Sequence, residues 1–183
     1  MASWKDKRKV MLRYDVTAEM YDERYAQEQQ RKYKKALENV YVAGKKVLDV
    51  GCGSGLFFKD VAAQAGLVIG VDVSLKLLNK AKEQGNAFSN VAVLQADVDH
   101  LPFRDGLFSA VFAFTVFQNV PKPAVTLNEL KRVAKKGDKI VVTGLKKAFP
   151  VTSFIDLLDS SGLKVLAFVD EEAINCYIAV LAV

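Results

Sequence analysis

The stretch V-L-D-V-G-C-G-S-G, from Val47 to Gly55, sets Asp49 among three apolar residues and then places glycines at 51, 53 and 55. A helical pattern follows. This is a short buried strand running into a tight turn whose backbone can approach a ligand. A plain strand–turn–helix corner needs one glycine. Three at alternate positions, with an acid inside the strand, need a further reason.

Outward from that turn the chain alternates. Strands are expected at 46–50, 67–72, 91–96, 108–114 and 138–144. A helix from Ser54 stops at Gly66, another is capped by Ser74 and stops at Gly85, a third runs from Pro121–Pro123 to Lys136, and a fourth from Val151 to Gly162. Alternation of this kind means a parallel sheet with helices on both faces. Strands 163–169 and 174–182 have no helix between them and therefore pair as an antiparallel hairpin turning at Asp170-Glu171-Glu172. The last of them is apolar at nearly every position, as a strand covered on both faces would be. Upstream, the first dozen residues read as a loose basic lead. Thr17 caps a short helix through Arg24, and a second helix spans Gln27 to Tyr41 with Tyr33, Leu37, Val40 and Tyr41 on one face. Residues 1–43 are thus expected as a helical cover on a domain spanning 44–183, the whole forming one structural unit.

The 183 residues are 51% hydrophobic and 26% charged, ordinary for a soluble globular chain. No apolar run nears the roughly 18–20 residues of a membrane span, the charged N-terminus lacks a signal-peptide core, and two cysteines make no disulfide framework. One histidine and no C-x-x-C argue against a metal site. The expectation is a cytoplasmic protein without membrane attachment. Of the net charge of +5, residues 1–50 contribute +4, a bias that serves an anionic substrate or simply a solvated helix face.

In an open parallel sheet, ligands bind beyond the carboxyl ends of the strands. Strand 67–72 ends in I-G-V-D, setting Asp72 at its tip, where a carboxylate can accept both hydroxyls of a ribose. Strand 91–96 ends in Q-A-D-V, setting Asp97 where a carboxylate can accept the exocyclic amine of a base. A glycine floor, a diol acceptor and a base acceptor on adjacent strand ends describe a site for a nucleoside-containing cofactor. A dinucleotide fingerprint would want a third glycine at 56, which is Leu56; a G-K-[ST] phosphate loop and a G-x-S-x-G nucleophile elbow are both missing.

Together V-L-D-V-G-C-G-S-G, Asp72, Asp97, L-P-F-R-D-G-L-F-S-A-V and the closing hairpin resemble the class I S-adenosylmethionine-dependent methyltransferases, nearest to the branch of ubiquinone/menaquinone-biosynthesis-type enzymes. The N-terminal Y-D-V-T-A-E-M-Y-D-E-R-Y resembles the Tyr-Asp-rich segment that covers the cofactor in many of them. The resemblance implies a Rossmann-like sandwich with seven strands in the order 3-2-1-4-5-7-6, strand 7 antiparallel. It implies S-adenosyl-L-methionine as cofactor. Asp49 and the turn with Gly51, Cys52 and Gly53 would hold the methionine end, Asp72 the ribose, Val73 the adenine face, and Asp97 with Val98 the adenine edge. Phe114 and Thr115 would line the methionine arm, and Tyr21 would belong to the cover. Two departures stand out: Phe108-Ser109 replaces the common Phe-Asp, and strand 4 leaves as F-T-V-F-Q-N-V-P rather than [DN]-P-P-[YF], which lowers the weight of exocyclic and amide nitrogen acceptors.

Methyl transfer needs positioning more than a catalytic motif, and no general base is evident. Substrate-facing candidates are Tyr25, Gln29, Gln118, Asn119 and Lys146. The basic N-terminal segment and Lys146-Lys147 lean toward an RNA or translation-machinery acceptor, with a small activator subunit adding a strand at the exposed edge V-A-V-L-Q. The alternatives are a small apolar or phenolic metabolite, for which Phe112, Phe114 and Phe117 are available though better suited to the core, or a non-catalytic cofactor-binding subunit. The acceptor atom (N, O, S or C) is open.

Overall fold

The computed structural model describes the backbone of residues 4–17 and 21–183 and the side chains of residues 4–16 and 26–183. Two helices, α1 (Trp4–Thr17) and α2 (Tyr21–Leu37), precede β1 (Lys46–Val50), α3 (Phe58–Val61), β2 (Leu67–Asp72), α4 (Leu75–Gly85) and β3 (Val91–Gln95). Then come β4 (Phe108–Ala113), a 3-10 turn (Phe117–Asn119), α5 (Pro123–Val133), β5 (Ala134–Leu145), α6 (Val151–Ser160), β6 (Lys164–Val169) and β7 (Cys176–Ala182).

The seven strands form one sheet in the order β3-β2-β1-β4-β5-β7-β6. Pairs from β3 to β5 are parallel, and β7 runs antiparallel to both β5 and β6. The order and the reversed last strand are as expected from the sequence. Every residue of β7 but the last is buried, because helices cover both faces there. Tyr33 and Ala36 of α2, Phe58 of α3 and Ala81 of α4 pack on one face; Leu127 and Leu130 of α5 and Phe154 and Leu158 of α6 pack on the other. Phe112, Phe114 and Phe117 all belong to this core.

Several boundaries differ from expectation, each for a tertiary reason. The basic lead is helix α1, which carries no continuous apolar stripe and is held by ion pairs from Lys7 to Asp97 and Asp99 in the loop after β3. The two short helices proposed over 17–41 are one, ending at Leu37; Val40 is buried and Tyr41 is 71% exposed. Any capping by the Thr17 side chain lies outside the described residues. The helix expected from Ser54 begins only at Phe58, since Gly53 and Gly55 take φ of +56° and +85° and hold the chain in turns. Strand β5 begins four residues early because Ala134 already pairs with Phe108. Arg132 clamps the loop after β3: it donates to Glu129 and Asp105 and to the carbonyls of Leu101 and Phe103.

Packing beneath the sheet is tight at Gly144. A Cβ there would stand 2.7 Å from the fully buried ring of Phe154. Gly144→Ala is expected to cost about 1–3 kcal/mol, read as a melting temperature lower by roughly 3–10 °C; an unchanged melting point would mean the ring moves aside freely.

Candidate functional site

A cavity opens where β1, β2, β3 and β4 end. Its floor is Gly51 and Gly53, its near wall Asp72, Val73 and Leu77, and its far end Asp97 and Val98. Phe114, Thr115 and Val116 lead away from β4 to Asn119 and Val120, and Lys7, Val10 and Tyr14 of α1 lie over the top.

The floor needs glycine for two separable reasons. Gly51 has φ +70°, and a Cβ on it would meet Val116 Cγ2 at 2.6 Å; Gly55, at φ +85°, faces the ring of Phe58 at 2.6 Å and does not line the cavity. The first lets backbone reach the ligand side, the third lets α3 pack under the turn. Cys52 is buried in the apolar cluster on the α2 side and contributes its backbone, donating to Val71 O at 2.9 Å. It does not line the cavity, and neither does Asp49, buried at the end of β1.

Asp72 accepts from Gly53 N at 3.0 Å and from Ser74 N at 2.8 Å, one bond to each oxygen. Each oxygen keeps a second lone pair for a ligand hydroxyl. Burial raises its pKa against the pull of these N–H groups. Burial, and then the Asp72 charge alongside, push Asp49 up to about 8.

At the far end Lys7 Nζ donates to both oxygens of Asp97 at 2.7 Å and reaches Asp99 Oδ2 at 2.5 Å. Burial would raise Asp97, but Lys7 and the Asp99 N–H outweigh it and hold the carboxyl below its usual range. Lys7 is likewise held above its ordinary value: burial lowers it, and the two carboxylates more than restore it. Tyr14 OH accepts from Asn119 Nδ2 at 2.9 Å, and Arg13 Nη2 donates to Asn119 Oδ1 at 2.7 Å. Helix α1 is thus fastened across the cavity by polar contacts at both ends.

Of the residues picked from the sequence, Gly51, Gly53, Asp72, Val73, Asp97, Val98, Phe114, Thr115 and Asn119 line this one cavity. Lys146 stands elsewhere, bonded to Asp170 at 2.6 Å and to Glu171 O at 2.8 Å. Gln29 and Gln118 do not line it; each has a buried amide oxygen without a partner among the described residues. The side chains of Tyr21 and Tyr25 lie outside the described residues. Lys7, Val10 and Leu77 were missed. Tyr14 does open the Tyr-Asp-rich segment, but nothing in a basic lead marks Lys7 as the partner of Asp97. Among the described residues no group of His, Cys, Asp or Glu side chains would hold a metal ion, and no helix is long and apolar enough to cross a membrane.

Comparison with known proteins agrees with this geometry. The family model described as a methyltransferase domain matches residues 48–142. The chain belongs to that family and is a class I S-adenosylmethionine-dependent methyltransferase domain. It is 37% identical over 121 residues to an uncharacterised chloroplastic methyltransferase of Arabidopsis thaliana, covering 61% of this chain and 34% of that protein. It is 36% identical over 101 residues to a demethylmenaquinone methyltransferase of Staphylococcus aureus, covering 54% of this chain and 42% of that one. The chain therefore matches well under half the length of either relative. In fold it is similar to the Haloferax volcanii methyltransferase solved in complex with the Trm112 methyltransferase activator, with a TM-score of 0.79, 18% identity and coverage of 92% of this chain and 96% of that one.

Proposed function

We propose that this protein transfers a methyl group from S-adenosyl-L-methionine to a small, largely apolar acceptor. The observation that carries the cofactor assignment is the convergence of the glycine floor, Asp72 and Asp97 on one cavity, from three adjacent strand ends. When bound, the cofactor supplies a methyl group already activated by a positive sulfur. The chain's own residues do the positioning. Asp72 accepts the ribose hydroxyls, Val73 packs on the adenine, and Asp97 with the Val98 backbone reads its edge. Gly51 and Gly53 bring N–H groups to the methionine end, with the Asp49 carboxyl behind them. Phe114 and Thr115 border the methionine arm, and α1 keeps water from it.

Two features favour a small acceptor over RNA. Several of the cations behind the basic N-terminal bias are paired within the protein: Lys7 with Asp97 and Asp99, Lys35 with Glu38 and Glu171, Lys45 with Asp138. Lys146 is engaged too. Nucleic-acid binding needs several cations available to phosphates. The similarity to a demethylmenaquinone methyltransferase also points to a small aromatic acceptor. Labelled methyl transfer into fractionated cell extract is expected to leave label in the organic-extractable fraction. Label in RNA, lost between 50 and 200 mM salt in proportion to phosphate contacts, would overturn this.

A second reading adds a subunit. Strand β3 ends the sheet with its outer edge unpaired and Leu94 41% exposed, a surface on which another protein can add a strand. A small activator resembling the one bound to the Haloferax volcanii neighbour would fit there. It should co-purify with the protein and be displaced by Leu94→Lys; full activity of an isolated monomer discards it.

A further inference from the structure

Thr115 closes the cavity at the end of β4. Among the described residues it alone is a non-glycine at positive φ, +62°, a conformation that a β-branched residue adopts only when its surroundings impose it. They do so here. Its N–H donates to Thr143 Oγ1 at 2.7 Å, and its carbonyl accepts from Asn119 Nδ2 at 3.0 Å and from Gln118 Nε2. The effect is to hold the Thr115 hydroxyl 3.0 Å from Nζ of Lys32, on the α2 side.

Among the described residues, Lys32 has no carboxylate within hydrogen-bond distance. Its side chain is 3% exposed, yet its other polar contacts among the described residues are the Cys176 thiol at 3.7 Å and Glu28 Oε1 at 3.9 Å. A thiol and a hydroxyl are neutral, and that carboxylate is beyond hydrogen-bond distance. Lys7 meets its own carboxylates at 2.5–2.7 Å, so this chain makes tight buried ion pairs where one is the purpose. Two buried acceptors nearby are also unmatched. Gln29 Oε1 sits one helical turn before Lys32, and Gln118 Oε1 belongs to the amide that bonds Thr115 O. Buried polar groups left this way are rare, and a water, an ion or a ligand group must satisfy them. The surroundings are aromatic: Phe114 lines the cavity, with the rings of Tyr33 and Phe57 at 4.8 and 5.1 Å from it.

We propose that Lys32, Thr115, Gln29 and Gln118 form the acceptor subsite, set behind the Thr115 wall of the cavity rather than on its lined surface, and that it takes a hydroxylated aromatic molecule as its singly ionised oxyanion. The oxyanion supplies the negative charge that Lys32 lacks at close range, and the Thr115 hydroxyl donates to the same oxygen. The Gln29 and Gln118 carbonyls take hydrogen bonds from a second hydroxyl or an N–H on the ring. This deepens the methyl-transfer reading and rests on it: the site selects acceptors that arrive already deprotonated, which explains why no general base is evident.

The test uses 4-nitrophenol, whose ionised form has its own absorption band, titrated against pH with the full chain saturated with S-adenosylhomocysteine. Bound probe is expected to ionise about one pH unit or more below free probe. Lys32→Met should lose that shift and bind the probe about tenfold or more weakly, while binding S-adenosylhomocysteine with wild-type affinity. Thr115→Gly, which relaxes the backbone but removes the hydroxyl, should lose part of the shift. Should Lys32→Met fail to fold, Thr115→Gly and the wild-type titration decide. A shift that survives in Lys32→Met or is undiminished in Thr115→Gly, or wild-type protein that binds the probe without a shift or not at all, overturns the proposal. Absence of S-adenosylhomocysteine binding in the wild type would instead remove the methyl-transfer reading.

Discussion

Asp72→Asn is expected to weaken S-adenosylmethionine binding about 100-fold or more. The carboxylate is proposed to accept two ribose hydroxyls, and hydrogen bonds to a charged group contribute about 1.5–3 kcal/mol each. It also accepts from Gly53 N and Ser74 N, one on each oxygen. An amide must turn its NH2 toward one of those N–H donors, so the substitution disturbs the turn as well as the ligand contact. Titration calorimetry checks the affinity, and a melting curve separates lost binding from lost fold. An affinity within threefold of wild type would remove Asp72 from the cofactor site.

The second large effect concerns a proton on Asp49. Burial and the neighbouring Asp72 charge raise this carboxyl from 3.8 to about 8, so in the unliganded protein at pH 7 it is mostly protonated. A folded pKa above the unfolded one gives stability that is complete below about pH 4 and is lost as pH rises toward 8; the loss is on the order of 4 kcal/mol by pH 7. Asp49→Asn has no such proton and should remove most of this pH dependence from the melting temperature. The α-ammonium of the methionine moiety would favour the ionised form. Cofactor binding at pH 7 should therefore release up to about one proton, measurable by calorimetry in buffers of different ionisation enthalpy. Release near zero in the wild type, or equal release in Asp49→Asn, would contradict this role.

The legible parts of the site are those whose placement follows from local rules. An apolar strand ending in a glycine turn, and strands ending in I-G-V-D and Q-A-D-V, carry their carboxylates to one end of the sheet whatever else the chain does. The hairpin was legible for the same reason, since two strands without a helix between them can only pair antiparallel. Local rules did not say which glycine meets a ligand and which meets a side chain. Gly51 and Gly55 share positive φ, and only the positions of Val116 and Phe58 tell them apart. Cys52 sits between two lining glycines yet turns into the core.

The sequence by itself determined the sheet order, through the resemblance its motifs carry, and the meeting of strand-end carboxylates and glycines at one cavity. Both rest on periodicity and on turns a few residues long. Only the tertiary structure decided what covers that cavity and what lies beyond its methionine end. Helix α1 has no apolar stripe to announce it; its place comes from Lys7 meeting Asp97, 90 residues away, and from Arg13 and Tyr14 meeting Asn119. Lys32 reads as one more cation on a polar helix until Thr115, 83 residues later, is seen to be its closest neighbour. A charge declares its function through its partner, and in this protein the partners are brought together by the fold.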